Sequence, residues 1–297
     1  MASSARATGS TESAGAGPLR AADESGNRAF LLGLARAFAG AIFFTLPLLM
    51  TMEMWALGFY MDGVRLALFI LVMVPMLIGL DHYAGFRETS TWTQDAADGL
   101  TACGVGFVAS AAILSLFNVI DIGMPAREIL GKVALQAVPA SFGAMLASSQ
   151  LGDDTERDTP EEARKRTAGY GGELFFMAAG ATFLAFNVAP TEEMILIAFK
   201  LTPWHAVALI VTSLLLMHAF VYAVEFRGTR AVPEGTPFGS LFLRYTVVGY
   251  AISLLISVYV LWTFGRWQDT ALPMFVLTAL VLAFPASIGA AAARLIL

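Results

Sequence analysis

The sequence predicts an all-α membrane protein of about eight transmembrane helices. Two observations support this fold class. Of the 297 residues, 57% are hydrophobic and only 14% are charged, whereas about 25% of the residues in a soluble domain are charged. In addition, eight stretches each hold about 20 or more mainly apolar residues, the length that an α-helix needs to cross a bilayer. The lipid bilayer is therefore the predicted partner of most of the surface.

The spans form two groups of four, 29–148 and 172–297. Residues 1–28 are rich in Ala, Ser, Gly and Thr without apolar periodicity, which predicts a disordered cytoplasmic tail. Residues 149–171 are highly charged and predict a cytoplasmic linker between the groups. The predicted spans are 30–59, 64–84, 99–120, 126–148, 172–200, 203–225, 239–264 and 270–295. Because the first and the fifth are long, each is expected to tilt, kink or extend beyond the bilayer.

The orientation follows from the distribution of basic residues. With the N-terminus in the cytoplasm, 13 of the 18 Lys and Arg residues fall on the cytoplasmic side and 5 on the other. Basic residues are enriched in cytoplasmic loops. The sequence therefore predicts that both termini lie inside.

Several function classes lack support in this sequence. Cys103 is the only cysteine, which excludes disulfide frameworks and zinc sites built from several cysteines. The zinc-protease, serine-hydrolase and nucleotide-binding motifs do not occur. No long basic run indicates binding to nucleic acid, and no cofactor is predicted.

An internal repeat relates the two groups of helices. At a shift of 140 residues, 39–59 and 179–199 share eight identities over 21 positions without a gap. Near the ends of the two groups, Pro139-Ala140-Ser141 is repeated as Pro285-Ala286-Ser287 at a shift of 146. Since four spans is an even number, both groups enter from the same side. We expect a parallel repeat about an axis along the membrane normal, with a site at the interface of the halves.

The most informative polar stretch runs from Asn187 to Glu193 in the fifth span. Pro190 lacks an N–H group and obstructs the carbonyl four residues earlier, so the helix is expected to break at 186–190. Thr191, Glu192 and Glu193 would then begin an outer half-helix, whose dipole favours carboxylates.

The first span has a related arrangement. Pro47 is again followed by a hydroxyl and a carboxylate, Thr51 and Glu53. At the repeat shift of 140, Glu53 aligns with Glu193, whereas Glu192 aligns with a methionine. Two carboxylates at one site would share a proton or hold a cation. Alternatively, they lie in the outer interface and pair with Lys200 or Arg65.

Two other polar residues are weaker candidates. Asn118 lies in the third predicted span, where hydrogen bonding between helices is its ordinary role. His218 lies in the sixth, where it would relay protons or be a buried neutral histidine.

Two motifs stand out in the sequence, Thr-Met-Glu-Met-Trp at 51–55 and Asn-Val-Ala-Pro-Thr-Glu-Glu at 187–193. Through these motifs the sequence resembles an uncharacterised family of bacterial integral membrane proteins. The resemblance implies a multi-pass protein of the bacterial inner membrane and brings no assigned function.

The preferred hypothesis is a transporter or channel for a cation, or one coupled to protons. The acidic pair Glu53 and Glu193 would lie at the pathway, with Glu192, Thr191, Thr51 and Asn187 in support. The alternatives are a membrane scaffold or sensor and, with less support, a membrane-embedded acid–base enzyme. The sequence leaves the oligomeric state open.

Overall fold

A computed structural model describes residues 16–84, 92–150, 169–226 and 238–296. Within these ranges the chain is helical, without a strand. The helices are α1 (Ala16–Leu49), α2 (Met52–Tyr60), α3 (Gly63–Ala84), α4 (Trp92–Leu116), α5 (Ala126–Gln150), α6 (Tyr170–Val188), α7 (Glu192–Lys200), α8 (Pro203–Phe226), α9 (Phe238–Leu241), α10 (Val248–Thr263) and α11 (Leu272–Ile296). A π-helical segment, Phe242–Val247, joins α9 to α10.

Eight of the described helical segments are long and apolar enough to cross a membrane, which confirms the predicted fold class. They alternate in direction: α1, α4, α6 and the segment containing α10 run one way, and α3, α5, α8 and α11 run back. The short helices α2 and α7 follow α1 and α6 at one end of the bundle, called here the short-helix end. The opposite end, where α1 begins and α11 finishes, is called the terminal end.

The helices form two halves, α1–α5 and α6–α11. In the first half α1 packs along α5, and in the second half α6 packs along α11. The halves meet mainly where α3 and α5 contact α6, with a smaller contact between α3 and α10. The helix α5 is buried along most of its length, since its side chains from 131 to 145 are all buried. It is therefore the core of the first half.

The structure differs from the sequence prediction at some boundaries. The helix α1 begins at Ala16, within the predicted disordered tail, and Pro18 lies in its first turn, where a missing N–H group is tolerated. The helix α4 begins at Trp92 and not at 99, and it ends at Leu116 because Asn118 adopts a left-handed φ of 55°. Most of the predicted linker, 151–168, lies outside the described residues.

Candidate functional site

A cavity of about 380 Å³ lies where the two halves meet, and it is called here the central cavity. Its lining is almost entirely apolar. The first half contributes four lining residues and the second half seven: Phe44, Leu80, Phe142 and Leu146, and then Ala179, Gly180, Phe183, Leu184, Gly289, Ala292 and Ala293. Its volume is near the lower end of the range for small-molecule pockets, about 300–1,000 Å³.

Close helix contacts form the second half's wall of the cavity. A Cβ atom added to Gly180 would overlap the Gly289 carbonyl and lie 2.5 Å from the Cβ of Ala293. The small residues thus let the backbones of α6 and α11 touch. The aromatic rings of Phe44, Phe142 and Phe183 form another part of the lining.

A group of four phenylalanines lies between the cavity and the short-helix end. This aromatic cluster consists of Phe69, Phe142, Phe186 and Phe264. The Phe186 ring centroid is 4.6 Å from that of Phe69 and 6.2 Å from that of Phe142, and Phe264 is 5.6 Å from Phe69. All four side chains are buried, and edge-to-face contacts of this kind are favourable. The cluster joins residues of α3, α5, α6 and the residue after α10 on that side of the cavity.

A hydrogen bond also joins the halves beyond the aromatic cluster. Arg65, at the start of α3, donates to the carbonyl of Trp262 at 3.2 Å, and its guanidinium lies 5.4 Å from the Trp262 ring centroid. This cation–π contact lies at the short-helix end. The Arg65 guanidinium therefore binds the other half.

The helices α1 and α6 each break close to a proline, and a threonine stabilises each break. Helix α1 ends at Leu49, two residues after Pro47, and helix α6 ends at Val188, two residues before Pro190. The Thr51 hydroxyl donates to the Leu48 carbonyl at 2.8 Å, and the Thr191 hydroxyl donates to the Val188 carbonyl at 2.9 Å. Each threonine precedes a short helix but bonds back to the helix before it.

The breaks differ in what else stabilises them. In the first half, the Gln136 amide donates a second side-chain hydrogen bond to the Leu48 carbonyl, at 3.2 Å. In the second half, Arg266 donates to the carbonyl of Pro190 and forms an ion pair with Glu192 at 2.7 Å. The first break is therefore held by a buried neutral group, and the second by a charged one.

The three glutamates occupy different environments. Glu53 is half-buried in the first turn of α2, and both Glu192 and Glu193 are exposed in the first turn of α7. None of the three lines the central cavity. Helix α2 packs against α5, and α7 packs against α11. The described contacts thus place Glu53 and Glu193 on separate halves, and Glu192 carries the ion pair with Arg266.

A comparison with known families gives one match. The family described as "Putative integral membrane protein (DUF2391)" matches residues 33–297. The chain belongs to this family. No curated protein and no solved structure matches the chain. The match confirms the family suggested by the two sequence motifs, and it agrees with the eight apolar helices of the structure.

In this member of the family, the remaining candidate residues contact their own helix or a neighbouring segment. The Asn187 amide donates to the Phe183 carbonyl one turn earlier, at 2.7 Å. Asn118 is exposed and lies just after α4, where its left-handed conformation ends the helix. The Nδ1 atom of His218 lies 3.0 Å from the Thr246 hydroxyl, next to the π-helical segment. Asn187 therefore forms a hydrogen bond within its own helix, and Asn118 ends α4.

Two polar contacts at the terminal end were not predicted from the sequence. The Nδ1 atom of His82 lies 2.9 Å from Asp95 Oδ2, and its ring stacks on Trp92 at 3.9 Å. Glu173 and Arg294 form a buried ion pair at 3.2 Å. Each pair joins residues near the ends of two helices. The only signal in the sequence is a charge near the end of an apolar span, which does not reveal its partner.

The chemistry of the site follows from its lining. Among the described residues, no group of three or more His, Cys, Asp or Glu side chains is placed to hold a metal ion. A cation in the central cavity would lack the oxygen ligands that hard cations need. An apolar group, by contrast, would contact aromatic and aliphatic side chains on several sides.

Proposed function

We propose that this protein is a membrane transporter whose substrate passes between its two halves. The observation that carries the proposal is the central cavity, which draws its lining from both halves. In transporters built from internal repeats, substrate sites lie at the interface of the repeats, and the repeats move relative to each other. A cavity at this interface is what such a mechanism requires.

An internal duplication of 29–148 and 172–297 supports the proposal. Adding 140 to the bounds of α2 (52–60) gives those of α7 (192–200), and adding 146 to those of α5 (126–150) gives those of α11 (272–296). The close contacts follow the same shifts, because Gly40 meets Gly143 in the first half and Gly180 meets Gly289 in the second. The proposed duplication is therefore supported both by the helix bounds and by the contacts between helices.

The proposed orientation has both termini inside, in a bacterial inner membrane. The short-helix end then faces outward, and the aromatic cluster lies on the outer side of the central cavity. Arg65 reinforces this closure through its bond to the Trp262 carbonyl. On this proposal the described state is closed to the outside, and alternating access requires a second state in which these contacts separate.

A cation or proton pathway at Glu53 and Glu193 is the second candidate. One observation favours it: each glutamate is the second residue of a short helix that follows a break in a span. Helix N-termini stabilise carboxylates, and broken helices are a recurrent element of ion sites. This pathway would run outside the central cavity, which contains neither glutamate.

Flux through proteoliposomes tests both candidates. The substrates would be a panel of monovalent and divalent cations, protons and single-tail amphiphiles. The variant Ala292→Trp places a large side chain in the central cavity, and Ala208→Trp places the same side chain on the exposed surface of α8. We expect flux to fall only with Ala292→Trp. If only the double variant Glu53→Gln, Glu193→Gln abolishes flux, the pathway at the glutamates is correct and the cavity pathway is wrong.

A further inference from the structure

The apolar lining restricts what the central cavity can bind. A water molecule in a cavity needs two to four polar partners, and an apolar cavity of this kind offers almost none. A charged group would be buried without compensation. An empty cavity would leave the lining side chains without contacts on one side. The hydrocarbon of lipid tails is abundant in a membrane, needs no polar partner and would fill the cavity.

The cavity is continuous with the surface that faces the bilayer. The side chains of five lining residues are partly exposed: Phe44, Leu146, Phe183, Leu184 and Ala292. All five lie in apolar segments long enough to cross a membrane. The cavity is therefore open on a side that a bilayer would cover, and a hydrocarbon tail can enter it without crossing water.

We propose that the central cavity binds the hydrocarbon tail of a single-chain amphiphile, such as a fatty acid or a lysophospholipid, which enters from the bilayer. A volume of about 380 Å³ has room for one tail, so a diacyl phospholipid would have to leave its second tail outside the cavity. Tails in the bilayer are already removed from water, so the affinity comes from packing against Phe44, Phe142 and Phe183. That this amphiphile is the transported substrate rests on the proposed function; the binding does not.

Photolabelling of the full-length protein in nanodiscs tests the binding. The probes are palmitate, lysophosphatidylcholine and a diacyl phosphatidylcholine, each carrying a diazirine in the middle of one tail. We expect the two single-chain probes to label residues of the cavity lining on α5 and α6. Excess unlabelled palmitate should displace both probes from these positions and should leave labelling of the exposed residue Leu71 on α3 unchanged.

Two variants and a control make the result specific. Ala292 and Leu184 line the cavity and are half-buried, so that Trp at either position fills the cavity without entering a packed core. We expect Ala292→Trp and Leu184→Trp to reduce the displaceable labelling about tenfold, and Ala208→Trp to leave it unchanged. Labelling by the diacyl lipid alone, labelling that palmitate does not displace, or equal labelling in all three variants would overturn the inference. Displaceable labelling without flux of the same amphiphile would leave the binding site intact and refute the transport proposal.

Discussion

Gly40 on α1 lies directly against the backbone of Gly143 on α5. A Cβ atom at position 40 would be 2.5 Å from the Gly143 carbonyl oxygen, closer than real Cβ contacts allow. The corresponding contact of the second half joins Gly180 to Gly289. Close backbone approach is a major source of helix association in membranes, because lipid offers no hydrophobic driving force between helices.

These contacts predict that a single methyl group destabilises either half. Gly40→Ala and Gly180→Ala should each lower stability by about 1–3 kcal/mol, the usual cost of overpacking. Gly104→Ala is the matched control, since Gly104 also lies in a membrane helix but has open space around it. Thermal unfolding in detergent measures the effect. Equal melting temperatures for Gly104→Ala and the other two variants would show that these glycine contacts do not support the fold.

Arg266 stabilises the break between α6 and α7 mainly through its hydrogen bond to the Pro190 carbonyl and less through its ion pair with Glu192. Glu192 is 64% exposed at its side chain, so Glu192→Gln should change stability by at most about 1 kcal/mol. Arg266→Gln removes the ion pair and also weakens the bond to the Pro190 carbonyl. We expect hydrogen–deuterium exchange at 191–194 to rise clearly in Arg266→Gln and little in Glu192→Gln. The reverse order would mean that the ion pair alone holds the break.

The ion pair between Glu173 and Arg294 is a buried one, with about one-tenth of each side chain exposed. Removing one partner of a buried pair leaves an uncompensated charge and costs about 3–5 kcal/mol. Glu173→Leu should therefore be strongly destabilising, whereas the double variant Glu173→Leu, Arg294→Leu should recover most of the loss. Unfolding of the wild type, Glu173→Leu, Arg294→Leu and the double variant in SDS and mixed micelles measures the cycle. Additive losses would show that the two charges are not coupled.

A variant at Gln136 tests whether the side chain of this residue stabilises the end of α1. Its amide donates to the Leu48 carbonyl, which also accepts from Thr51. Because Thr51 remains in place, Gln136→Leu should cost only about 1 kcal/mol. In Gln136→Leu, Thr51→Val the carbonyl keeps only the backbone N–H of residue 51 as a donor, and the loss should exceed the sum of the two single effects. Denaturation in mixed micelles distinguishes this from simple addition.

The sequence predicted the eight spans because hydrocarbon imposes a length and an apolar composition on each. It also placed the break near Pro190, since a missing N–H group is a local property. The central cavity could not be predicted in this way, because its lining comes from α1, α3, α5, α6 and α11, whose arrangement is set by packing. The partner of Glu192 could not be predicted for the same reason, because Arg266 is 74 residues away in the chain. Local signals thus identify elements, whereas pairs across the bundle depend on the fold.

The most direct test of the account is whether the two halves separate at the short-helix end. Val64 on α3 and Gln268 between α10 and α11 are exposed there and belong to different halves. Spin labels at these two positions, with Cys103→Ser as background, report their separation by pulsed electron resonance. The pair Lys200 and Gln268, both exposed within the second half, is the control. We predict two distances for Val64–Gln268 and one for Lys200–Gln268. A single, unchanging distance for Val64–Gln268 in nanodiscs, with and without palmitate, would contradict transport between the halves.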